Sequence, residues 1–510
     1  MNTLKKAFVL FMITVLACVS LAGCGSSSKS SVLDQERKAN NEITVAIAQD
    51  LGESLDPHGS ISAGTREVLF NIYEGLFKTG SDGSLIPAVA ESYEISEDGL
   101  TYTFKIRDGI KFHNGNPVTT DDVLYSISRC AENSGDAALV SAFSAIKDAK
   151  AIDEKTVTFS LEQPNLELVY YLTAPIVPKD NDKIDTVPVG TGPFKYASRS
   201  AQENFVVERF DDYWGEPAKL SKVTYQIFTD ATALVIAINA GTVDLCAHLT
   251  SSQTAQLGSD YTILEDTMNL VQAVYLNNSY EPLKNEKVRQ ALAYAIDRDV
   301  IKDMVSDGHG VSVGSSIYPK LEKYFMPELV DKYPYDPEKA KELLAEAGYP
   351  DGFDLSIAVV SSYQPHMDTA EVVVELLNSI GINASVQPMD NATWISEVYT
   401  NRDFQATITG LDAKNVTARA MLERFVSDNG KNFINYNNPD YDALYQKAQR
   451  CTDDSEQTEI YKQMETMLAD NAANLYIQDI ADMVAIRSDL SGLCFYPIYA
   501  LDLSTVGYTE

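Results

Sequence analysis

The side chains able to do chemistry are few and scattered. Five histidines and six cysteines occur in 510 residues. His58, His113, His248, His309 and His366 include no pair at metal-ligand spacing, and there is no His-Glu-x-x-His zinc motif. No phosphate loop is present, and no nucleophile elbow is expected. His113, in Lys111-Phe112-His113-Asn114-Gly115, is the histidine with the types around it that would suit a base or a metal ligand. Cys130, Cys246, Cys451 and Cys494 lie far apart and match no metal spacing; they read either as disulfide partners or as buried thiols. The cysteine with a chemical context is Cys24. It follows Leu21-Ala22-Gly23, at the end of an apolar run from Ala7 that is itself preceded by Lys5 and Lys6. A basic start, an apolar run and small residues make a secretory signal. The run is too short to span a bilayer comfortably.

Composition bounds the rest. The formal net charge is −33 and 45% of residues are apolar, ample for a sizeable core. The length predicts two to four structural lobes. The acidic excess argues against nucleic acid and anionic membrane surfaces as partners, because both repel it.

The elements that must position any site are legible in places. Ile43–Gln49 reads as a strand. Thr101–Arg107 alternates, with Tyr102, Phe104 and Ile106 on one face, which predicts a half-buried antiparallel strand; Val157, Phe159 and Leu161 repeat the pattern. Asp336 and Pro337 mark a helix start and Gly348 its end. Asp354–Val360, Met367–Ile380 and Ile382–Pro388 read as strand, helix and strand, a βαβ unit. Gly25–Asn41, rich in serine and then charged, reads as a flexible tether spanning roughly 20–25 Å.

A series of short motifs follows in a fixed order. Leu55-Asp56-Pro57-His58 precedes Ile72-Tyr73-Glu74-Gly75-Leu76. Then come Lys111-Phe112-His113-Asn114-Gly115 with Asp121-Asp122-Val123, Gly190-Thr191-Gly192-Pro193-Phe194, Asp212-Tyr213-Trp214-Gly215 and Gly241-Thr242-Val243-Asp244-Leu245. Last is Leu276-Asn277-Asn278, running into Val288-Arg289-Gln290-Ala291-Leu292-Ala293-Tyr294-Ala295-Ile296-Asp297-Arg298. This series resembles the large solute-binding proteins of ABC importers, the family of oligopeptide-, dipeptide- and nickel-binding proteins, from about Glu42 onward. Cys24 in its setting resembles a bacterial lipobox, in which cleavage before the Cys leaves its thiol carrying a diacylglycerol; two acyl chains hold a protein stably where one does not.

The resemblance implies an α/β fold of the two-lobed periplasmic-binding-protein type (type II, large form) with an extra N-terminal subdomain. It implies a signal peptide over 1–23, a tether over 24–41, lobe I over 42–278 with an inserted subdomain over about 69–189, lobe II over 279–484, and a return to lobe I over 485–510. The crossing strands are expected near Gly190 and Asn277. Gly109, Gly115 and Gly192 suit turns needing positive φ. Val288, Leu292, Ala295 and Ile296 share a helical face and read as core. Arg289 and Asp297 read as salt-bridged helix residues, and His113 as a structural histidine.

The family pattern also places ligand contacts. The candidates are Ser60, Ser62 and Thr65 after the first strand, and Ser361, Tyr363 and Gln364 after Val360. Trp394 precedes the cleft strand, and Gly410, Leu411, Asp412, Lys414 and Arg419 end or follow it. Dipeptide-binding members carry an Asp after a Gly-Trp pair and an Arg before a Tyr. Here the Trp is absent, Lys414 stands at the Asp position with Asp412 two residues earlier, and Ser361 stands at the Arg position. Losing a charge-assisted clamp on a buried terminus costs roughly 2–5 kcal/mol, so a strict dipeptide preference is not expected. Lys414 and Arg419 would favour an acidic group on the ligand.

The function implied is a membrane-tethered extracytoplasmic receptor of an ABC importer, on a Gram-positive cell surface, taking an oligopeptide-like ligand by lobe closure. Alternatives are an oligosaccharide, metal-complex or haem receptor, or a peptide-sensing lipoprotein without import. No enzyme activity, cofactor or metal is expected. The expected partners are the solute, permease subunits and, through Cys24, the bilayer; the chain is expected to be a monomer.

Overall fold

The computed structural model describes residues 35–59, 62–131, 140–413 and 415–509. The expected lipobox at Cys24, Ser60 and Lys414 lie outside the described residues. The described end of the expected tether is docked rather than free. Residues 35–39 are helical, and Arg37 donates to the carbonyls of Gly241 and Thr242 and pairs with Asp244 at 3.2 Å. Asp244 is fully buried, so its carboxylate holds this segment to the body.

Two mixed sheets build the molecule. The first runs in the order Tyr261–Thr267, Ala481–Arg487, Leu245–Leu249, Glu42–Ile47, Lys222–Ile227, Asn204–Arg209, Phe194–Ser200. The second runs Val311–Ser312, Asn474–Asp479, Leu270–Leu276, Ala406–Asp412, Asp354–Val360, Asn383–Met389. A separate antiparallel sheet of Ala90–Ile95, Thr101–Ile106, Thr156–Leu161 and Ile146–Ala151 carries a core of its own, with Tyr102, Phe104 and Ile106 buried as the alternation predicts.

The chain passes between the two main sheets twice. Tyr261–Thr267 belongs to the first sheet and Leu270–Leu276 to the second; Asn474–Asp479 belongs to the second and Ala481–Arg487 to the first. The crossings are therefore Met268-Asn269 and Ile480, not the neighbourhoods of Gly190 and Asn277, and sheet membership changes there rather than at 278 and 484. Gly190 feeds an edge strand of the first sheet, and a Cβ there would lie 2.1 Å from the Ile72 carbonyl oxygen. Asn277 ends its strand by donating to the carbonyls of Arg402 and Phe404, within the second body.

Local signals held where the physics is local. Asp336 caps the helix Pro337–Glu346 by accepting from the Lys339 amide, and Gly348 takes φ 91°. Asp354–Val360 and Asn383–Met389 pair in parallel around the helix Gln364–Ser379, the expected βαβ unit. Val288, Leu292, Ala295 and Ile296 are buried. Among the described residues Arg289 has no acidic partner: its guanidinium donates to the carbonyls of Leu283, Asn471 and Ala472. Asp297 is a helix cap, accepting from the Val300 amide. Gly109 and Gly115 have positive φ. Gly192 does not, and is needed for close approach, since a Cβ would lie 2.8 Å from the Asn71 carbonyl oxygen.

Candidate functional site

A cavity of about 170 Å³ opens between the two bodies. Arg66 and Tyr73 line it from the first, Lys78 and Thr173 from beside the core of the separate antiparallel sheet, Asp412 from the second, and Tyr499 from near the C-terminus. Arg66 sits on the helix Ala63–Leu69, and Asp412 is the last residue of the strand Ala406–Asp412. Their charges meet across the cavity at 3.1 Å, each side chain about a third exposed at 29% and 32%. An ion pair so exposed contributes at most about 1 kcal/mol, so it can be exchanged for ligand charges at little cost.

The expected contacts are spread over several roles. Ser62 caps the Ala63–Leu69 helix by accepting from the Thr65 amide, and the Thr65 hydroxyl accepts from the Gly52 amide. Ser361 is exposed, its amide donating to the Met389 carbonyl. Tyr363 points its hydroxyl at the Met268 sulfur, 3.8 Å away on a crossing. The Gln364 amide donates to Asp368. Trp394 donates to the Thr407 hydroxyl at 2.9 Å and packs on Tyr399, in the core of the second body. Gly410 lets Leu270 approach, and Leu411 is buried. Arg419 is buried beside Glu423, Tyr171 and Tyr445. Of the expected residues, Asp412 lines the cavity.

Arg66, Tyr73, Lys78, Thr173 and Tyr499 were not among the expected contacts. Arg66 lies one residue past the expected Ser60–Thr65 loop, and that closeness is a signal that could have found it. Tyr499 reaches the cavity from the far end of the chain, which no local pattern shows.

Chemistry is otherwise accounted for structurally. The Glu74 carboxylate accepts from Tyr213 and Trp214 at 2.7 Å each and from Thr191 at 3.1 Å. His113 donates through Nε2 to the Gly192 carbonyl and accepts at Nδ1 from the Gly190 amide; burial pushes its imidazole down to about 4, so it is a neutral tie between turns. Gly310-Val311-Ser312-Val313-Gly314 does spell Gly-x-Ser-x-Gly, against the expectation of no such sequence. Ser312 lies in the two-residue strand Val311–Ser312 paired with Asn474–Asp479, not on a strand-to-helix turn. Cys130, Cys246 and Cys451 are buried free thiols and Cys494 an exposed one. Among the described residues no His, Cys, Asp and Glu cluster could hold a metal, and no helix is long and apolar enough to cross a membrane.

The family model for bacterial extracellular solute-binding proteins, family 5 (middle), matches residues 84–433. The chain belongs to this family. It is 28% identical over 503 residues to heme-binding protein A of Haemophilus influenzae, covering 89% of this chain and 91% of that one. It is 27% identical over 468 residues to the dipeptide-binding protein of Escherichia coli K12, covering 83% and 86%. A dipeptide-binding protein from Pseudoalteromonas sp. SM9913, solved with Met-Leu, superposes with a TM-score of 0.81 at 25% identity, over 92% of this chain and 100% of that one. The two sheets joined by two crossings are the two lobes of this fold, and the cavity lies between them.

Proposed function

We propose that the chain is a membrane-tethered extracytoplasmic receptor that closes its two lobes over a peptide-like ligand and presents it to an ABC permease. The observation that carries this reading is the Arg66–Asp412 pair, one charge from each lobe, on the wall of the interlobe cavity. A peptide with free termini brings one cation and one anion. It can give its ammonium to Asp412 and its carboxylate to Arg66, so that breaking the pair leaves neither charge bare. A ligand with one charge would leave one of the two partners without a counter-charge. Relatives that carry dipeptides in their names support the same class. Ser361, standing where an Arg clamp would, supports a ligand not limited to two residues.

Cys24 would hold the receptor beside its permease through a diacylglycerol thioether, consistent with a family that works outside the cytoplasm. Mass spectrometry of the membrane-extracted protein tests this: a lipidated N-terminal Cys24 is expected, and an unmodified Cys24 removes the anchor.

A thermal-shift screen of the protein against peptides of two to six residues, oligosaccharides, metal complexes and haem tests the ligand class. At a hundred times its dissociation constant a ligand stabilises its receptor by about 2.7 kcal/mol. A shift with peptides is expected. A shift with a sugar, metal complex or haem, and none with any peptide, would defeat the peptide reading.

A further inference from the structure

His248 lies behind the cavity wall and was not expected to act. It sits in the strand Leu245–Leu249, where the register slips between Cys246 and Leu249, with φ 61°. A non-glycine residue in that left-handed region is strained by of order 1–3 kcal/mol, and such strain persists only where surrounding contacts over-determine it. Those contacts are present. Nδ1 lies 2.9 Å from Asp482 Oδ1, which also accepts from the His248 amide at 3.1 Å. Nε2 lies 2.9 Å from Glu67 Oε1.

Ionised carboxylates only accept. Both ring nitrogens therefore donate, and the ring is an imidazolium. The third contact is Tyr499, whose ring lies flat on the imidazole at 4.9 Å and 13° while also lining the cavity. A cation on a tyrosine face is attracted by its quadrupole.

The three partners come from three parts of the lobe. Glu67 is next to Arg66 on the cavity helix, Asp482 is two residues past the Ile480 crossing, and Tyr499 belongs to the C-terminal return. Tyr363 of the second lobe and Cys246 on the same strand also face the ring. Burial works against the charge, but Asp482, Tyr499 and Glu67 outweigh it, holding the imidazole well above its ordinary range.

We propose that His248 is a positioning residue of the cavity, its imidazolium locking the Arg66-bearing helix to the crossing strand and holding the Tyr499 ring as the cavity floor. Calling that cavity the ligand site rests on the function proposed above.

The test uses the full chain without ligand, so it stands whether or not peptides bind. In nitrogen-15 NMR at pH 8, where an ordinary histidine is neutral, the His248 ring, assigned by its loss in His248→Gln, is expected to be protonated at both nitrogens; a neutral ring overturns the proposal. Hydrogen exchange of the Arg66–Leu69 amides, corrected for the intrinsic rate that hydroxide catalysis raises with pH, is expected to quicken at least tenfold in His248→Gln, and in the wild type as pH rises through the raised midpoint. Unchanged exchange in both overturns it. Should His248→Gln fail to fold, Glu67→Gln and Asp482→Asn are each expected to lower the ring's titration midpoint, and a midpoint that neither moves overturns the proposal.

Discussion

Asp412 and Asp479 end the two strands that flank Leu270, the first residue of the chain after its passage into the second lobe. Asp479 is fully buried and accepts from the Leu270 amide at 3.1 Å. Asp412 stands a third exposed on the cavity wall and meets Arg66 of the other lobe. Residue type and local fold are the same, and exposure separates the two roles. A buried carboxyl tied to a crossing strand can only fix geometry, because leaving its partner unmet is costly. A half-exposed one can trade partners, because its ion pair contributes little. The crossing and the cavity wall thus come from one end of one sheet.

The comparison breaks most visibly at Asp479. Asp479→Ala leaves the buried Leu270 amide without an acceptor and is expected to lower stability by about 2–4 kcal/mol. Asp412→Ala is expected to lower it by less than about 1 kcal/mol. Urea unfolding of the two variants measures the contrast, and equal losses would end it.

The pH dependence sharpens it. Burial, reinforced by Asp266 and opposed by the hydrogen bond from the Leu270 amide, pushes the Asp479 carboxyl up to about 8. A carboxyl raised on folding contributes stability that is complete below its unfolded value and lost as pH rises through the folded one. Stability is therefore expected to fall between pH 5 and 8, and Asp479→Asn to shrink that fall by roughly 3–4 kcal/mol. Glu465, also pushed up to about 8 by burial and bonded by the Ser315 hydroxyl, adds a fall of the same sign. A profile unchanged in Asp479→Asn would show that this carboxyl is not held neutral.

The smallest effect is the pair itself. A double-mutant cycle of Arg66→Ala and Asp412→Ala is expected to give a coupling of about 0.2–1 kcal/mol without ligand. A coupling above about 2 kcal/mol would make the pair a structural lock rather than an exchangeable one.

What the sequence revealed follows the range of the interactions. The Asp336 cap and the βαβ unit were legible because a cap and a hydrophobic period act over a few residues. The crossings were not, since Met268 and Ile480 are defined by which distant strands their neighbours pair with. Asp412 was reached through its place at the end of a recognisable strand. Ser62 and Thr65 were read as contacts, but the first turn of a helix uses their hydroxyls, and Arg66 projects into the cavity instead. His248 was judged by spacing along the chain, while its partners Glu67, Asp482 and Tyr499 are assembled by the fold.

The central claim is that ligand charges replace Arg66 and Asp412 on each other. It is tested most directly by calorimetric titration of one peptide, the strongest stabiliser from the screen, with its termini free or N-acetylated, into the wild type and Asp412→Ala. The account predicts that Asp412→Ala weakens the free peptide at least tenfold, about 1.4 kcal/mol, and leaves the acetylated one nearly unchanged. Equal affinity of the free peptide for both proteins would contradict it.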